Sequence, residues 1–279
     1  MTIREINQAI EEGQSLKQIA QAYGEIATIK IRKIRAAVEK NRSFLKEIAT
    51  VYRIVKQQSY VRKLAVKKSK KTVSILLTSN FRFYGNIDME VTRFFLENTP
   101  KIQTDRIVVG KTANHFLQVM KYFNSYQLLN FKADLPTPEE LSQLGQLIKE
   151  YQQVLVFYPE LSTLLVQKPI VSDITQSDLL TATPTTTTTN YVIFEPELLK
   201  ILEFFDNQII TLLLEQTFFE SELSRTASRI LSMDQAQVEA KRFIESQGQL
   251  KAHTLRVEES SHLLENLTSL IAIKKEKYN

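Results

Sequence analysis

Apolar residues recur every three or four positions along the first 55 residues, and this part of the chain contains no proline. Such spacing places apolar side chains along one narrow stripe of an α-helix, which is typical of a coiled coil. The stripe runs through Ile6, Ile10, Gly13, Leu16, Ile19, Tyr23 and Ile26, and then through Ile31, Ile34, Val38, Asn41, Leu45, Ile48, Tyr52 and Val55. Its phase slips between Ile26 and Ile31, which predicts a local change of the supercoil. At about 1.5 Å per residue such a helix is about 80 Å long and must project from a compact domain.

The C-terminal part of the chain carries a second stripe of the same kind. Pro196 suits the first turn of a helix, because its missing N–H would have no partner there. The stripe comprises Leu223, Ala227, Ile230 and Met233, followed at intervals of seven by Leu250, Val257, Leu264 and Ile271. Two long helices at opposite ends of one chain can cover each other's stripes by pairing antiparallel. A long antiparallel coiled coil of the N- and C-terminal helices is therefore predicted.

The middle of the chain alternates short apolar runs with amphipathic segments. The runs predict strands at 72–78, 106–109, 154–158 and 191–194, and the segments between them predict helices at 91–96, 113–123 and 138–151. This alternation implies a largely parallel sheet covered by helices, while the threonine-rich tract 181–190 predicts a loop. The fold class is therefore α/β, with a coiled coil and a Rossmann-like parallel-sheet domain at its foot. The predicted boundaries are 1–66 for the first long helix, 67–195 for the foot domain and 196–279 for the second long helix.

Composition narrows the classes of function. The 279 residues contain no cysteine, which excludes disulfides and thiol chemistry, and the histidines His115, His253 and His262 lack metal-ligand spacing. No apolar run is long enough to span a membrane. The N-terminal residues are too polar for a secretory signal, which favours a cytoplasmic protein.

Motifs for catalysis are missing from the sequence. It contains no GxxxxGK[ST], GxGxxG or GxSxG pattern, so the α/β middle lacks the phosphate cradle of a nucleotide site. The adjacent acidic pairs at 11–12 and 258–259 point in different directions on a helix and cannot flank one substrate. No catalytic, cofactor-binding or metal-binding residue is predicted, and a stand-alone α/β enzyme is a weak alternative.

Basic residues cluster after the phase slip. They are Lys30, Arg32, Lys33, Arg35, Lys40 and Arg42, on several faces of the predicted helix. One interpretation is a solvated helix surface, and the other is a sliding contact with an acidic partner. The lysine-rich run 67–71 lacks the aromatic residues that would stack on bases, which favours a solvated linker over a nucleic-acid site.

Several motifs, in order along the whole chain, resemble the gamma subunit of F-type ATP synthases. The N-terminal positions that match the family pattern are Arg4, Glu5, Ile6, Ile10, Ile19, Ala22, Ala27, Lys30, Arg32 and Lys33. The stretch TSNFRFYGNID resembles the family's SDRGLCG signature at Ser79 and Gly85, and RIVVGKTANHFL, VFYPELSTLLVQKPIV and YVIFEPE resemble later segments. Arg229, Met233, Ala236 and Ala240 fall in the family's last motif.

The resemblance implies a non-catalytic central rotor shaft that couples proton-driven rotation to ATP synthesis or hydrolysis. The implied partners are the alpha and beta subunits, the epsilon subunit and the membrane rotor ring, at the cytoplasmic face of a bacterial plasma membrane, without membrane insertion, nucleic acid or a bound cofactor. It implies contact with the catalytic subunits at Lys30, Arg32, Lys33, Arg35, Arg229 and Met233, and a side towards the rotor ring at Thr181, Tyr191 and Glu195.

The sequence also departs from the family pattern. Asn7, Gln8, Glu11 and Gln14 replace basic residues, and Asn80 replaces the aspartate of the SDRGLCG signature. These departures and the lysine-rich C-terminus leave one alternative open, a shaft subunit of a diverged rotary ATPase that is not coupled to the usual membrane ring.

Overall fold

The computed structural model describes residues 2–61, 71–122, 124–175 and 197–276, without the side chains of 56–61, 199, 203, 206 and 271–276. Contacts between residues divide the chain into two compact units. Unit 1 consists of Met1–Ile26 and Ile230–Asn279, and unit 2 of Ala27–Arg229. The predicted boundaries near 66 and 196, the predicted strand 191–194 and the threonine-rich tract lie outside the described residues.

Two long helices and an α/β domain are present, which confirms the predicted fold class. The long helices are α1, Ile3–Val61, and α5, Leu198–Glu276. Between them lie β1 (Thr72–Leu77), α2 (Ile87–Asn98), β2 (Asp105–Val109), α3 (Lys111–Val119), β3 (Gln127–Leu129), α4 (Pro138–Ile148), β4 (Gln153–Thr163) and β5 (Val166–Asp173). None of the helices among the described residues offers an apolar stretch of the length that crossing a membrane requires.

The five strands of the described residues form one sheet in the order β3-β2-β1-β4-β5. β1 pairs parallel with β2 and β4, and β3 pairs parallel with β2, so the sheet is largely parallel as predicted. β5 pairs antiparallel with β4. Strands β3 and β5 were not predicted, because three residues carry too little pattern and the exposed β5 lacks a buried apolar run.

The sheet is covered on both faces because successive strand residues point to opposite sides. On one side Val73, Ile75 and Leu77 pack with apolar residues of α4 and α5, including Leu144 and Phe218. On the other side Leu76 packs with α2 and α3, the remaining members being Val91, Phe95, Val108, Ala113, Leu117, Leu155 and Phe157. α5 is therefore both a member of the helix pair and a covering helix of the sheet.

Within each unit, α1 and α5 pair antiparallel as predicted. In unit 1, Gly13 faces Phe243 and Ile244, and Gly24 faces Met233. In unit 2, the C-terminal residues Tyr52 and Val55 of α1 pack against the start of α5, at Leu198, Leu202 and Ile209. The second half of the predicted α1 stripe is confirmed at Ile34, Val38, Asn41, Leu45, Tyr52 and Val55, which are all buried, while Ile31 and Ile48 are half-buried.

The first half of the predicted stripe is confirmed at Ile6 and Gly13, which are buried, and is wrong from Leu16 to Ile26. Leu16, Ile19, Tyr23 and Ile26 are exposed, whereas Ala20 and Ala27 are buried. The buried residues follow a spacing of seven without the predicted phase slip: Ile6, Gly13, Ala20, Ala27, Ile34 and Asn41. Small side chains let helix backbones approach closely, and the positions from Leu16 to Ile26 have an equally good helical period, so periodicity alone selected the wrong positions there.

The predicted stripe at the end of α5 is not buried within the chain either. Leu250, Val257 and Leu264 have exposed fractions of 39%, 55% and 63%. In unit 1 the partner helix begins at Ile3, and every described α5 side chain from Leu255 to Leu270 is exposed. The last predicted member, Ile271, has no described side chain.

Candidate functional site

Ligands of an open α/β sheet usually bind beyond the carboxyl ends of its strands, where the strand order reverses, which is here between β1 and β4. Asn80, just after β1, fills the neighbouring crevice between the ends of β1 and β2 with hydrogen bonds. Its side-chain amide donates to the carbonyl oxygens of Phe131 and Ala133 at 3.1 Å, and its side-chain oxygen accepts from the Lys111 backbone N–H at 3.2 Å. The Asn80 backbone N–H donates to Asp134 Oδ1 at 2.6 Å. The chain's own side chains therefore occupy the crevice.

Gly110 closes this crevice at the end of β2. Its φ of 103° lies in the region that favours glycine. A Cβ at this position would lie 2.5 Å from the carbonyl oxygen of Thr78. The glycine thus serves the close approach of two backbone segments rather than a phosphate.

Beside the filled crevice lies a set of interacting ionisable groups, most of them buried, which we call the buried ion cluster. Its members are Lys30 of α1, Tyr84, Asp88 and Asp134 of the sheet domain, and Glu222 and Arg225 of α5. Asp88, Asp134, Glu222 and Arg225 are each no more than 5% exposed. The cluster contains two cations and three carboxyl groups, drawn from both long helices and the sheet domain.

Glu222 is the central group of the buried ion cluster. Its carboxylate forms ion pairs with Lys30 and with Arg225, the latter at 3.0 Å. The Tyr84 hydroxyl lies 2.5 Å from Asp134 Oδ2 and 3.4 Å from Glu222 Oε1. One residue of α5 is thereby connected to α1 and to the loop after β1.

Burial and charge shift the pKa values of the cluster. Burial raises the pKa of the Asp88 carboxyl, although the Arg225 charge and a hydrogen bond from Ser79 act in the opposite direction. Burial would lower the pKa of Arg225, but Glu222, Asp88 and Asp134 together raise it, so the guanidinium stays charged. Burial, Glu222 and Asp134 raise the pKa of Tyr84 and keep its hydroxyl protonated.

Two adjacent residues, one turn of α5 beyond Arg225, hold the same loop. Ser228 donates a hydrogen bond to the Tyr84 carbonyl oxygen at 2.7 Å. Arg229 donates to the Arg82 carbonyl oxygen at 2.9 Å, and its guanidinium lies 3.8 Å from the centre of the Tyr84 ring. This stacking is a cation–π interaction. The loop 82–84 is therefore held by neighbouring side chains of one helical turn.

The residues predicted to contact catalytic subunits occupy different environments. Arg32, Lys33 and Arg35 are exposed on α1, whereas Lys30 is partly buried and paired with Glu222. Arg229 and Met233 are buried within the chain, each 7% exposed. Their contact with other subunits stays a prediction, and Thr181, Tyr191 and Glu195 lie outside the described residues.

Unit 1 carries a large exposed apolar surface. On α1 it consists of Leu16, Ile19, Tyr23 and Ile26, and on α5 of Val238, Phe243, Leu250, Leu255, Val257, Leu263, Leu264, Leu267 and Leu270. Exposed apolar surfaces of this extent mark interaction sites. We call this surface the apolar sleeve surface.

Sequence reasoning missed the buried ion cluster. A signal was available in the run SELSRTAS at 221–228, where small polar residues and an i,i+3 pair of opposite charges interrupt an otherwise apolar helix. The carboxyl partners Asp88 and Asp134 lie far from this run in the sequence, so no local pattern connects them. Among the described residues, no group of three or more His, Asp or Glu side chains could hold a metal ion.

The chain is similar to known proteins over most of its length. The family model described as ATP synthase matches residues 2–259. The ATP synthase gamma chain of Pelotomaculum thermopropionicum is 24% identical over 254 residues, covering 88% of this chain and 89% of the relative. The gamma chain of Mesoplasma florum is 25% identical over 248 residues, covering 81% and 83%.

Solved structures show the same fold. A chain of the Euglena gracilis mitochondrial ATP synthase has a TM-score of 0.68 at 16% identity, with 99% of this chain and 96% of that chain covered. A chain of the Tetrahymena thermophila central stalk and ring has a TM-score of 0.57 at 19% identity, covering 78% and 99%. The family predicted from the motifs is confirmed. The chain belongs to the ATP synthase family, among its gamma chains.

Proposed function

We propose that this chain is the central rotor shaft that couples rotation to ATP synthesis or hydrolysis in a hexamer of alpha and beta subunits. The observation that carries the proposal is the apolar sleeve surface on a helix pair in a member of the gamma chains. Leu16 and Ile19 are 62% and 52% exposed although they lie beside a closed seam. Water is an unfavourable environment for so much apolar surface, and a surrounding sleeve of subunits would cover it.

The mechanism needs no active site in this chain. A shaft whose sides differ presents different contacts to identical catalytic subunits, and each contact shifts a subunit between its conformations. A partner can shift such an equilibrium only through a difference in contact free energy. The two helices supply this asymmetry, because α1 exposes Leu16 and Ile26 where α5 exposes Phe243 and Leu250.

The foot is proposed to contact the epsilon subunit and the membrane rotor ring, which places the chain peripherally at the cytoplasmic face of a bacterial membrane. We further propose that it binds no cofactor of its own. The sequence supports this because it lacks the GxGxxG and GxxxxGK[ST] patterns, and the side-chain amide of Asn80 after β1 is already hydrogen-bonded within the chain. The exposed Arg32, Lys33 and Arg35 are proposed to meet acidic side chains of the catalytic subunits.

Co-expression with alpha and beta subunits tests the proposal. The expected result is a hexamer that retains this chain on size-exclusion chromatography and drives its rotation with ATP. The variant Leu16→Glu/Ile26→Glu should fold but assemble poorly, because both side chains are exposed in the free chain and would place charges in the sleeve.

Val119→Glu is the matched control, since Val119 is equally exposed, at 66%, but lies in unit 2 at the end of α3. If the hexamer forms while this chain, present in the same cells, stays free of it, the proposal is overturned. A complex in which this chain rotates but which does not pump protons with a membrane ring would favour the diverged rotary ATPase instead.

A further inference from the structure

We infer that the buried ion cluster, together with Ser228 and Arg229, is the mechanical joint that passes torque between the two long helices and the sheet domain in unit 2. The inference rests on the proposed function as a rotor shaft. It assigns to Glu222 and Arg225 a positioning role. Their contacts hold α5 at one position along the sheet domain, in addition to keeping the two in contact. All the contacts that carry it lie between Ala27 and Arg229.

The apolar contact between α5 and the sheet resists sliding through side-chain packing alone. Ile210, Leu214 and Phe218 of α5 pack against the sheet and α4. Close-packed side chains oppose displacement, but the hydrophobic effect itself is non-directional and depends on the area removed from water. A displaced apolar face can therefore repack and bury a similar area, whereas torque requires a contact that favours one position.

The buried ion cluster favours one position of α5, because each of its charged groups is stabilised only beside its own partners. Glu222 joins α5 to Lys30 of α1, and the Tyr84 hydroxyl lies between Glu222 and Asp134 of the sheet domain. If α5 moved by one turn, Glu222 and Arg225 would lose these partners while remaining buried. A buried charge without its partner is strongly unfavourable, and fixing a register is the best-attested use of buried polar groups.

The loop on the sheet side of the joint is itself held in one conformation. Phe83 has a φ of 71°, which a bulky L-residue rarely adopts. Such a conformation persists where the surrounding contacts determine it. Here the neighbours on either side, Arg82 and Tyr84, are both bound through their carbonyl oxygens by Arg229 and Ser228. One turn of α5 therefore binds a loop whose backbone conformation is already restricted.

Torsional stiffness of the assembled complex tests the inference. The chain contains no cysteine, so Leu165→Cys, at an exposed turn between β4 and β5, offers a unique attachment point for a bead. The full chain is assembled with alpha and beta subunits fixed to a surface, and the thermal angular fluctuation of the bead reports the stiffness between foot and hexamer. Unloaded ATP turnover and thermal unfolding are measured on the same samples.

The test variant is Glu222→Gln/Arg225→Met, which removes one negative and one positive charge together and so retains the charge balance. We expect a several-fold larger angular fluctuation with unloaded ATP turnover close to that of the parent chain. Ser228→Ala, which removes a single hydrogen bond, should give a smaller change in the same direction and serves if the double variant does not fold. Arg93→Met and Glu97→Gln, exposed on α2, are the matched controls.

Each outcome separates the joint from the proposed function. If the parent complex does not rotate the bead, the proposed function fails. If the parent complex rotates and the folded double variant and Ser228→Ala both show the stiffness of the controls, the joint is refuted while the shaft function stands. If stiffness falls in the double variant and in Ser228→Ala but not in Arg93→Met or Glu97→Gln, the joint is supported.

Discussion

Removing Arg225 should destabilise this chain by more than the loss of the Arg225 contacts alone, because it leaves the buried Glu222 with one charged partner fewer. The Arg225 side chain is 1% exposed and that of Glu222 is fully buried, at 3.0 Å from it. Arg225→Met preserves much of the side-chain volume but leaves Glu222 with Lys30 as its remaining charged partner, and the Lys30 side chain is 34% exposed. Breaking a buried pair by deleting one member costs about 3–5 kcal/mol. Since Lys30 still compensates part of the charge, we expect a loss near the lower end, about 3 kcal/mol.

A double-mutant cycle isolates this effect. Glu222→Gln/Arg225→Met removes both charges, and replacing a buried pair by neutral groups of similar volume is often close to neutral in stability. The double variant should therefore be more stable than the sum of the two single losses predicts, by about 1–3 kcal/mol. Against a typical total stability of about 5–15 kcal/mol, a coupling of this size is well within measurement.

Urea unfolding of the purified full chain, followed by far-UV circular dichroism, is the assay. The four proteins of the cycle are the parent, Glu222→Gln, Arg225→Met and the double variant. Equal m-values in all four would show that the variants change stability rather than the surface exposed on unfolding. Arg93→Met, an exposed arginine on α2, controls for the loss of a surface charge and should change stability by about 0.5 kcal/mol or less. An Arg225→Met loss below about 1 kcal/mol, or purely additive losses, would refute the reasoning.

Three further predictions concern other parts of the chain. Gly248→Ala, where a Cβ meets nothing within 4 Å, should raise the free energy of unfolding by about 0.5–1 kcal/mol. Gly13→Ala should raise the free energy of unfolding by less, or lower it, because its Cβ would lie 3.0 Å from Ile244. Equal increases for the two variants in urea unfolding would contradict this. Thr137→Ala removes the N-cap of α4 and should cost about 1 kcal/mol, and an unchanged unfolding midpoint would argue against the capping box. Burial raises the pKa of Asp88, so the folded chain holds a proton that the unfolded chain has released. The unfolding free energy of the parent relative to Asp88→Asn should therefore fall as the pH rises from the ordinary aspartate pKa through the raised value, and a difference that is flat or rises with pH would be inconsistent with it.

The sequence identified the elements whose signals are local. A helical period without proline predicts α1, and β-branched apolar runs predict β1, β2 and β4. The ordered series of motifs predicted the family, because each motif keeps its place along the chain. It could not predict β5, whose exposed antiparallel pairing with β4 has no buried stripe of its own.

The choice between two apolar stripes of α1 was beyond the sequence. Ala20 and Ala27 are buried while Leu16 and Ile19 are exposed, although the second pair is more hydrophobic. The helical period of the apolar residues specifies that α1 has an apolar stripe. Which stripe faces α5 depends on how closely the backbones of the two helices approach. Small residues permit the close approach, and the larger ones are left for a surface that this chain does not supply.

The sequence by itself determined two long amphipathic helices, an alternating α/β middle and the family, because helical period, strand patterning and collinear motifs are properties of neighbouring residues. Only the tertiary structure decided the closed seam, the filled crevice at Asn80 and the partners of Glu222. Asp134 and Glu222 are distant in sequence, and Tyr84 brings them together only once α5 packs on the sheet domain. Burial of charge is a property of that packing, since the same side chains in an isolated helix would be solvated.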